Sequence, residues 1–132
     1  MTLFRFKPVK GSRHADVSDP FHPKLTGSVS IGGIVGRAAH PAQPKKPLNG
    51  GPQMVEVSRD GRRVYLTNSL YRAWDEQFYP DGIKPWMVKL DVADGGGLSF
   101  DERFFPTGFG NHRVHQVHLE GGDASSDSYC FP

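Results

Sequence analysis

Three histidines near the end of the chain raise the question of a metal site. His112, His115 and His118 lie three residues apart in the run HRVHQVH. Imidazole nitrogens are common ligands of copper and zinc. However, residues 112–123 are expected to contain a strand that ends at a glycine turn, and side chains on a strand alternate between its two faces. His115 and His118 would then point in opposite directions, so the spacing does not predict a three-histidine metal site.

A second candidate is the run SLYRAWDEQFYPDG at residues 69–82, which holds four aromatic residues and three acids. In a functional interpretation, its aromatic side chains line a pocket for a small apolar molecule, and an acid or amide fixes a polar partner. The residues that would bind this substrate are Trp74, Asp75, Gln77 and Tyr79. In a structural interpretation, the aromatics pack on neighbouring strands and the acids bond loop amides. The residues alone leave both interpretations open.

Other reactive residue types do not form a recognisable constellation. Cys130 is the single cysteine, so neither a disulfide within the chain nor a paired-cysteine metal site is predicted. His40 lies in a proline-rich loop and is expected to be solvated. The serines of residues 123–127 lack a G-x-S-x-G motif, so they are expected to bond the backbone of a turn. No residue is therefore assigned a catalytic role.

Composition indicates what kind of scaffold holds these residues. The chain has 132 residues, of which 16 are glycine and 11 are proline, and this points to many turns in an all-β fold. Its 16 basic and 14 acidic residues form no cluster dense enough for a nucleic-acid groove. No apolar run approaches the roughly 20 residues of a membrane span, and the first residues do not form a signal peptide. We expect a soluble chain, periplasmic or cytoplasmic, with no recognisable targeting signal.

About six short strands and no convincing helix are predicted. The clearest unit is a hairpin of QMVEVS (53–58) and RRVYLTN (62–68), joined by a turn in which Gly61 can adopt a positive φ. Further strands are expected within 27–35, 86–92, 98–105 and 112–123, and 36–52 is a long loop. This pattern is typical of β-propeller blades, which take about 40–45 residues each, so the chain would hold about two to three blades.

Four segments together resemble the selenium-binding protein family, which includes the methanethiol oxidases. They are DVSDPFHPKLTG (16–27), GGPQMVEVSRDGRRVYLTNSLY (50–71), AWDEQFYPD (73–81) and GGDASSD (121–127). The resemblance covers residues 13–132 and is confined to the C-terminal portion of the family, whose members are several times longer. Residues 1–132 are therefore expected to be one C-terminal segment of a multi-bladed propeller. Either the chain is a fragment, or the missing N-terminal blades are encoded elsewhere and act as its partner.

The resemblance implies an activity and its cofactors. The activity is oxidation of methanethiol, a small thiol, by O2 and water to formaldehyde, hydrogen peroxide and hydrogen sulfide, and copper is the implied metal. Only His115 falls at the family position, eight residues before Asp123, where it would ligate copper with ligands from other blades. The alternative for His115 is a hydrogen bond to a neighbouring blade. The family cysteine linked to selenium has no match here, and Cys130 is not its equivalent. A propeller segment that only binds or scaffolds a partner is the alternative function.

Overall fold

The computed structural model describes residues 2–7, 11–68 and 71–115, and this part of the chain is mostly β, as predicted. Its three-stranded antiparallel sheet has the order β1-β2-β3, with bounds Thr2–Lys7, Gly11–Asp16 and Lys24–Val29. The four-stranded antiparallel sheet has the order β4-β5-β6-β7, with bounds Pro52–Val57, Arg63–Asn68, Met87–Val92 and Leu98–Phe100. A helix, α1, spans Arg72–Phe78 and connects β5 to β6.

The predicted hairpin is confirmed as β4 and β5, which pair antiparallel. In its turn, the Ser58 hydroxyl donates to Asp60 Oδ1 at 2.6 Å, and the Arg62 backbone N–H donates to the same oxygen at 2.9 Å. These hydrogen bonds stabilise the ionised carboxylate and hold the pKa of Asp60 below its ordinary value. Gly61 has φ of 72°, a left-handed conformation that glycine adopts without a Cβ penalty.

Strand β5 is the centre of the core because both of its faces are covered. Val64 and Leu66 are fully buried on one face, where Leu66 lies opposite Val88 of β6. Tyr65 is buried on the other face. The main apolar cluster consists of Ile31, Val64, Leu66, Trp86, Val88 and Leu90. Burial of each large apolar side chain contributes about 1.5–3 kcal/mol, so this cluster supports the four-stranded sheet.

The two sheets approach each other through glycines. A Cβ added to Gly96 would lie 2.6 Å from the Thr26 Cβ, and one added to Gly27 would lie 2.7 Å from the Leu98 backbone nitrogen. Both distances are too short for a real contact, so the loop before β7 meets β3 only because these side chains are absent. The glycine-rich turn before β7 thus has a packing role between the sheets.

One of the strand predictions needs correction. The strand expected at 27–35 is instead β3, Lys24–Val29, because Gly32 and Gly33 have φ of 63° and 132° and cannot continue it. These glycines form isolated bridges to Ala38 and Gly50, which tie the long loop to the sheet region. Of the segment 112–123, which is expected to contain a strand, residues 112–115 are described and have no strand pairing. Its remainder, including His118, lies outside the described residues, as does Cys130.

The expectation of no helix is wrong, because α1 forms within the aromatic run. Alanine, glutamate and glutamine are good helix formers, and Arg72 pairs with Glu76 one turn later. The helix has only seven residues and buries Asp75 while exposing Trp74 and Phe78. Amphipathic helices are recognised by apolar residues on the buried face, whereas α1 buries an acid and exposes its aromatic residues. No helix in the described part of the chain is long and apolar enough to cross a membrane.

Candidate functional site

The last described residues are anchored where β5 ends and α1 begins. Thr67, fully buried in β5, donates its hydroxyl to the His115 backbone carbonyl at 2.8 Å. Two residues earlier, Arg113 Nε donates to Asp75 Oδ2 at 3.1 Å. These two contacts bring His115 and α1 together, although Asp75 and Arg113 are 38 positions apart in the chain.

Asp75 and Arg113 form a charged pair that is largely removed from water. Their side chains are 9% and 15% exposed. Removing one partner from a buried ion pair leaves the other charge uncompensated, so each holds the other in place. The sequence pattern singled out Asp75 but missed Arg113, because nothing in the run HRVHQVH shows that its arginine reaches back to α1. Arg113 emerges only from the three-dimensional contact.

His115 presents a buried nitrogen that is not engaged within the described part of the chain. Its Nδ1 is buried, and no described residue offers it a hydrogen-bond partner. The ring stacks with Tyr71 at 6.4 Å between centroids and 22° between planes, and Tyr71 packs edge-on against Trp74 at 5.7 Å. A buried polar atom without a partner is unfavourable, so this nitrogen requires a partner from outside the described residues, such as a ligand or a further part of a protein.

One imidazole nitrogen of this kind fits copper, which imidazole binds well. It can fill only one coordination position. Among residues 2–7, 11–68 and 71–115 no group of three or more His, Cys, Asp or Glu side chains is placed to hold a metal. Any further ligands of a metal at His115 would therefore come from beyond the described residues, as the resemblance implies.

Three of the four predicted substrate-binding residues line one cavity of about 290 Å³. They are Trp74, Asp75 and Tyr79, and Tyr71 and Phe78 are also part of the wall. Gln77 is exposed and does not line this cavity. Residues two apart on a helix differ by about 200° in direction, so Asp75 and Gln77 cannot face the same space. Tyr71 connects the cavity to His115, since it lines the one and stacks on the other.

The aromatic side of α1 is unusually exposed. Tyr71, Trp74 and Phe78 are 56%, 60% and 65% exposed. Scattered exposed apolar residues are ordinary, but adjacent large aromatics on one short element indicate a binding surface. This surface borders the cavity, so the aromatic residues are available to a ligand or to a further part of a protein.

His40 is buried, so the expectation of a solvated loop histidine is wrong. Its Nδ1 accepts a hydrogen bond from the Ala42 backbone N–H at 3.2 Å, and its ring stacks on Phe105 at 4.3 Å. Burial lowers the pKa of His40, and the opposing effect of the Glu102 and Asp101 carboxylates is smaller. His40 is therefore a neutral core residue rather than a solvated one.

The chain belongs to the 56 kDa selenium-binding protein family, whose family model matches residues 9–130. The crystal structure of a hypothetical selenium-binding protein from Sulfolobus tokodaii is 58% identical and aligns with a TM-score of 0.79. That alignment covers 99% of this chain and 28% of the Sulfolobus chain. The resemblance stated from the motifs is thus confirmed.

Curated relatives carry two kinds of name. Methanethiol oxidase from Xenopus tropicalis is 41% identical over 66% of this chain and 22% of its own length. The human methanethiol oxidase is 42% identical over 61% of this chain and 20% of its own. Selenium-binding protein 3 from Arabidopsis thaliana is 41% identical over 66% of this chain and 22% of its own length. The chain therefore spans about a fifth of the length of these relatives.

Proposed function

We propose that this chain is a C-terminal segment of a multi-bladed β-propeller that oxidises methanethiol. In the overall reaction, one methanethiol, one O2 and one water give formaldehyde, hydrogen peroxide and hydrogen sulfide. The methyl carbon is oxidised, its bond to sulfur breaks, and O2 is reduced to peroxide. Relatives named methanethiol oxidase support the reaction class. The observation that carries the proposal is the buried, unpartnered Nδ1 of His115 beside an aromatic cavity in the described part of the chain.

His115 is the residue that we propose as a copper ligand. Copper, when bound, supplies one-electron exchange with O2 and affinity for a thiol sulfur. Within this chain, Thr67 holds the backbone carbonyl of His115, and Tyr71 stacks on its ring. The first contact fixes the backbone at His115, and the second restricts the direction of its ring. The family's selenium-linked cysteine has no counterpart here, so selenium would be bound by the remainder of the propeller.

The cavity beside α1 is proposed to hold the thiol substrate. Its volume of about 290 Å³ lies just below the usual range for small-molecule sites, roughly 300–1,000 Å³, which suits a very small substrate. Trp74 and Tyr79 provide apolar contact for a methyl group, and Asp75 provides a polar group that Arg113 holds in place. Gln77 has no part in this proposal, because it does not line the cavity.

A binding or scaffold module without chemistry is the second candidate. The exposed aromatic side of α1 favours it, because this side would be covered when further blades pack against the chain. Its partner would be the N-terminal propeller blades. Under this alternative, Tyr71, Trp74 and Phe78 contact protein rather than substrate, and His115 bonds a neighbouring blade.

Copper content and methanethiol-dependent peroxide formation test the proposal. They are measured for a full-length family protein that contains this chain as its C-terminal part, and for the 132-residue chain alone. We expect copper and peroxide with the full-length protein, and His115→Ala should remove both. His112→Ala is the matched control, since His112 is exposed. Absence of copper and peroxide from the full-length protein would contradict the oxidase proposal. Unchanged copper and activity in His115→Ala, with blade binding retained, would favour the module.

A further inference from the structure

A larger cavity, of about 700 Å³, shares no lining residue with the proposed thiol site. Its walls come from the loop around residues 43–49, from 84–86 and from 105–110. The volume is in the usual range for small-molecule sites, roughly 300–1,000 Å³. Nothing in the proposed oxidation of methanethiol uses this space, because methanethiol is far smaller.

The charged residues that line this cavity are all basic. Arg37, Lys46 and Lys84 line it, and no acidic residue among those described does. Neither lysine makes an ion pair with any residue in the described ranges, unlike Lys89, which binds Asp101 at 2.6 Å. Arg37 is 3.9 Å from Asp81, whose side chain is highly exposed, and such pairs are weak. The cavity therefore presents positive charge that this part of the protein leaves largely uncompensated.

The walls of the cavity are held in place by the buried side chain of Asn68. Its amide donates to the backbone carbonyls of Asn49 and Lys84, at 3.2 and 2.8 Å. Its oxygen accepts from the Trp86 backbone N–H at 2.8 Å, and Trp86 Nε1 donates to the Asn49 carbonyl at 2.8 Å. Two separate wall segments are thus tied to the end of β5, so the cavity is formed before any ligand arrives.

Aromatic side chains give the same cavity an apolar wall. Phe105 is fixed by its stacking on buried His40, and Trp86 is fixed by the bonds to Asn49 and Asn68. Phe109 and Leu48 extend this wall. We propose that the cavity binds a small organic anion that carries an aromatic or apolar body. Its charged group contacts Lys46 and Lys84, and its body lies against Phe105 and Trp86.

Tryptophan fluorescence can test this site directly. The chain has two tryptophans, so a Trp74→Phe background leaves Trp86 as the single reporter. The probe is phenyl phosphate, compared with benzyl alcohol, which lacks the charge, and with inorganic phosphate, which lacks the ring. We expect saturable binding of phenyl phosphate, about tenfold tighter than either comparison compound, because each loses one of the two kinds of contact. Binding should also weaken as salt is added, because the lysines are exposed.

Neighbouring lysines provide a matched pair of variants. Lys46→Gln and Lys84→Gln should each weaken phenyl phosphate binding about fivefold, whereas Lys45→Gln, which does not line the cavity, should leave it unchanged. All three replace exposed lysines, and equal melting temperatures verify that the fold is kept. Failure of phenyl phosphate to saturate would overturn the proposal. So would affinity equal to that of either comparison compound, or equal losses in the Lys45 and Lys46 variants.

Discussion

The sheet around β5 and the corner formed by α1, Arg113 and His115 are neighbours with opposite distributions of polar and apolar side chains. In the sheet, Val64, Leu66 and Val88 are completely buried. At the corner, the carboxylate of Asp75 is buried and the rings of Trp74 and Phe78 are exposed. Thr67 connects the two regions, because it belongs to β5 and bonds the carbonyl of His115.

This difference indicates which region contributes most to the stability of the fold and which one we propose as a binding site. Burial of apolar area is the main favourable contribution to folding, and the apolar cluster of the sheet provides it. The corner buries charge and exposes aromatics, and neither arrangement is the one that maximises stability. Departures of this kind are expected at functional sites, where local stability is lower than the sequence could provide.

The largest expected effect comes from truncating the apolar core. Leu66→Ala removes a fully buried side chain and should lower the free energy of unfolding by about 2–5 kcal/mol. Urea denaturation of the chain measures it. Val35→Ala is the control, since Val35 is 95% exposed and the change should stay within about 0.5 kcal/mol. Similar values for the two variants would show that the core lies elsewhere.

The buried ion pair at the corner should contribute less than the core, but more than a surface pair. Asp75→Ala leaves the Arg113 guanidinium without this carboxylate and should cost about 1–3 kcal/mol. A double-mutant cycle of Asp75→Ala with Arg113→Ala isolates the coupling energy between them. The same helix offers a control in the exposed Arg72–Glu76 pair, which should couple by about 0.3–0.5 kcal/mol. Equal coupling energies in the two cycles would contradict a special role for the buried pair.

The stability of the chain is expected to depend on pH through His40, which is buried against Phe100 and Phe105. Burial lowers its pKa from the ordinary 6.5, so the unfolded chain binds its proton more readily than the folded chain. The stability due to neutral His40 is therefore fully present above pH 6.5 and is lost as pH falls through the folded pKa. Unfolding measured from about pH 7 to about pH 5 should show this decline, and His40→Gln should flatten it. His112→Gln, at an exposed histidine, is the control and should show the same decline in stability as the unmodified chain. An unchanged decline in His40→Gln would show that His40 is not its cause.

The smallest effect should come from the exposed aromatics of α1. Trp74→Ser and Phe78→Ser remove rings that are mostly in water, so the stability of the chain alone should change by no more than about 0.5 kcal/mol. Thermal melting of the chain tests this. A loss comparable to that of Leu66→Ala would mean that these rings belong to the core, and the contrast between the two regions would disappear.

The same contrast explains how far the sequence could be interpreted. The hairpin of β4 and β5 was predictable, because alternating apolar residues and an Asp-Gly turn are local signals. Helix α1 was not, since its buried residue is an acid and its exposed residues are aromatic. Sequence periodicity detects helices whose apolar face points inward, and in α1 the large apolar side chains point outward.

Site residues follow a similar division. Trp74, Asp75 and Tyr79 stand out in the sequence because the run that contains them is rich in aromatics and acid, and they line one cavity. Gln77 lies outside that cavity, because its direction depends on a helix that was not predicted. Arg113 was missed because its contact with Asp75 joins residues 38 positions apart. Partners at that separation leave no mark in a single sequence.

Electron paramagnetic resonance of Cu(II) added to the full-length protein can show whether Nδ1 of His115 binds copper, as we propose. We expect imidazole nitrogen coupling that is lost in His115→Ala and retained in His112→Ala. The same coupling in His115→Ala as in the unmodified protein would contradict it.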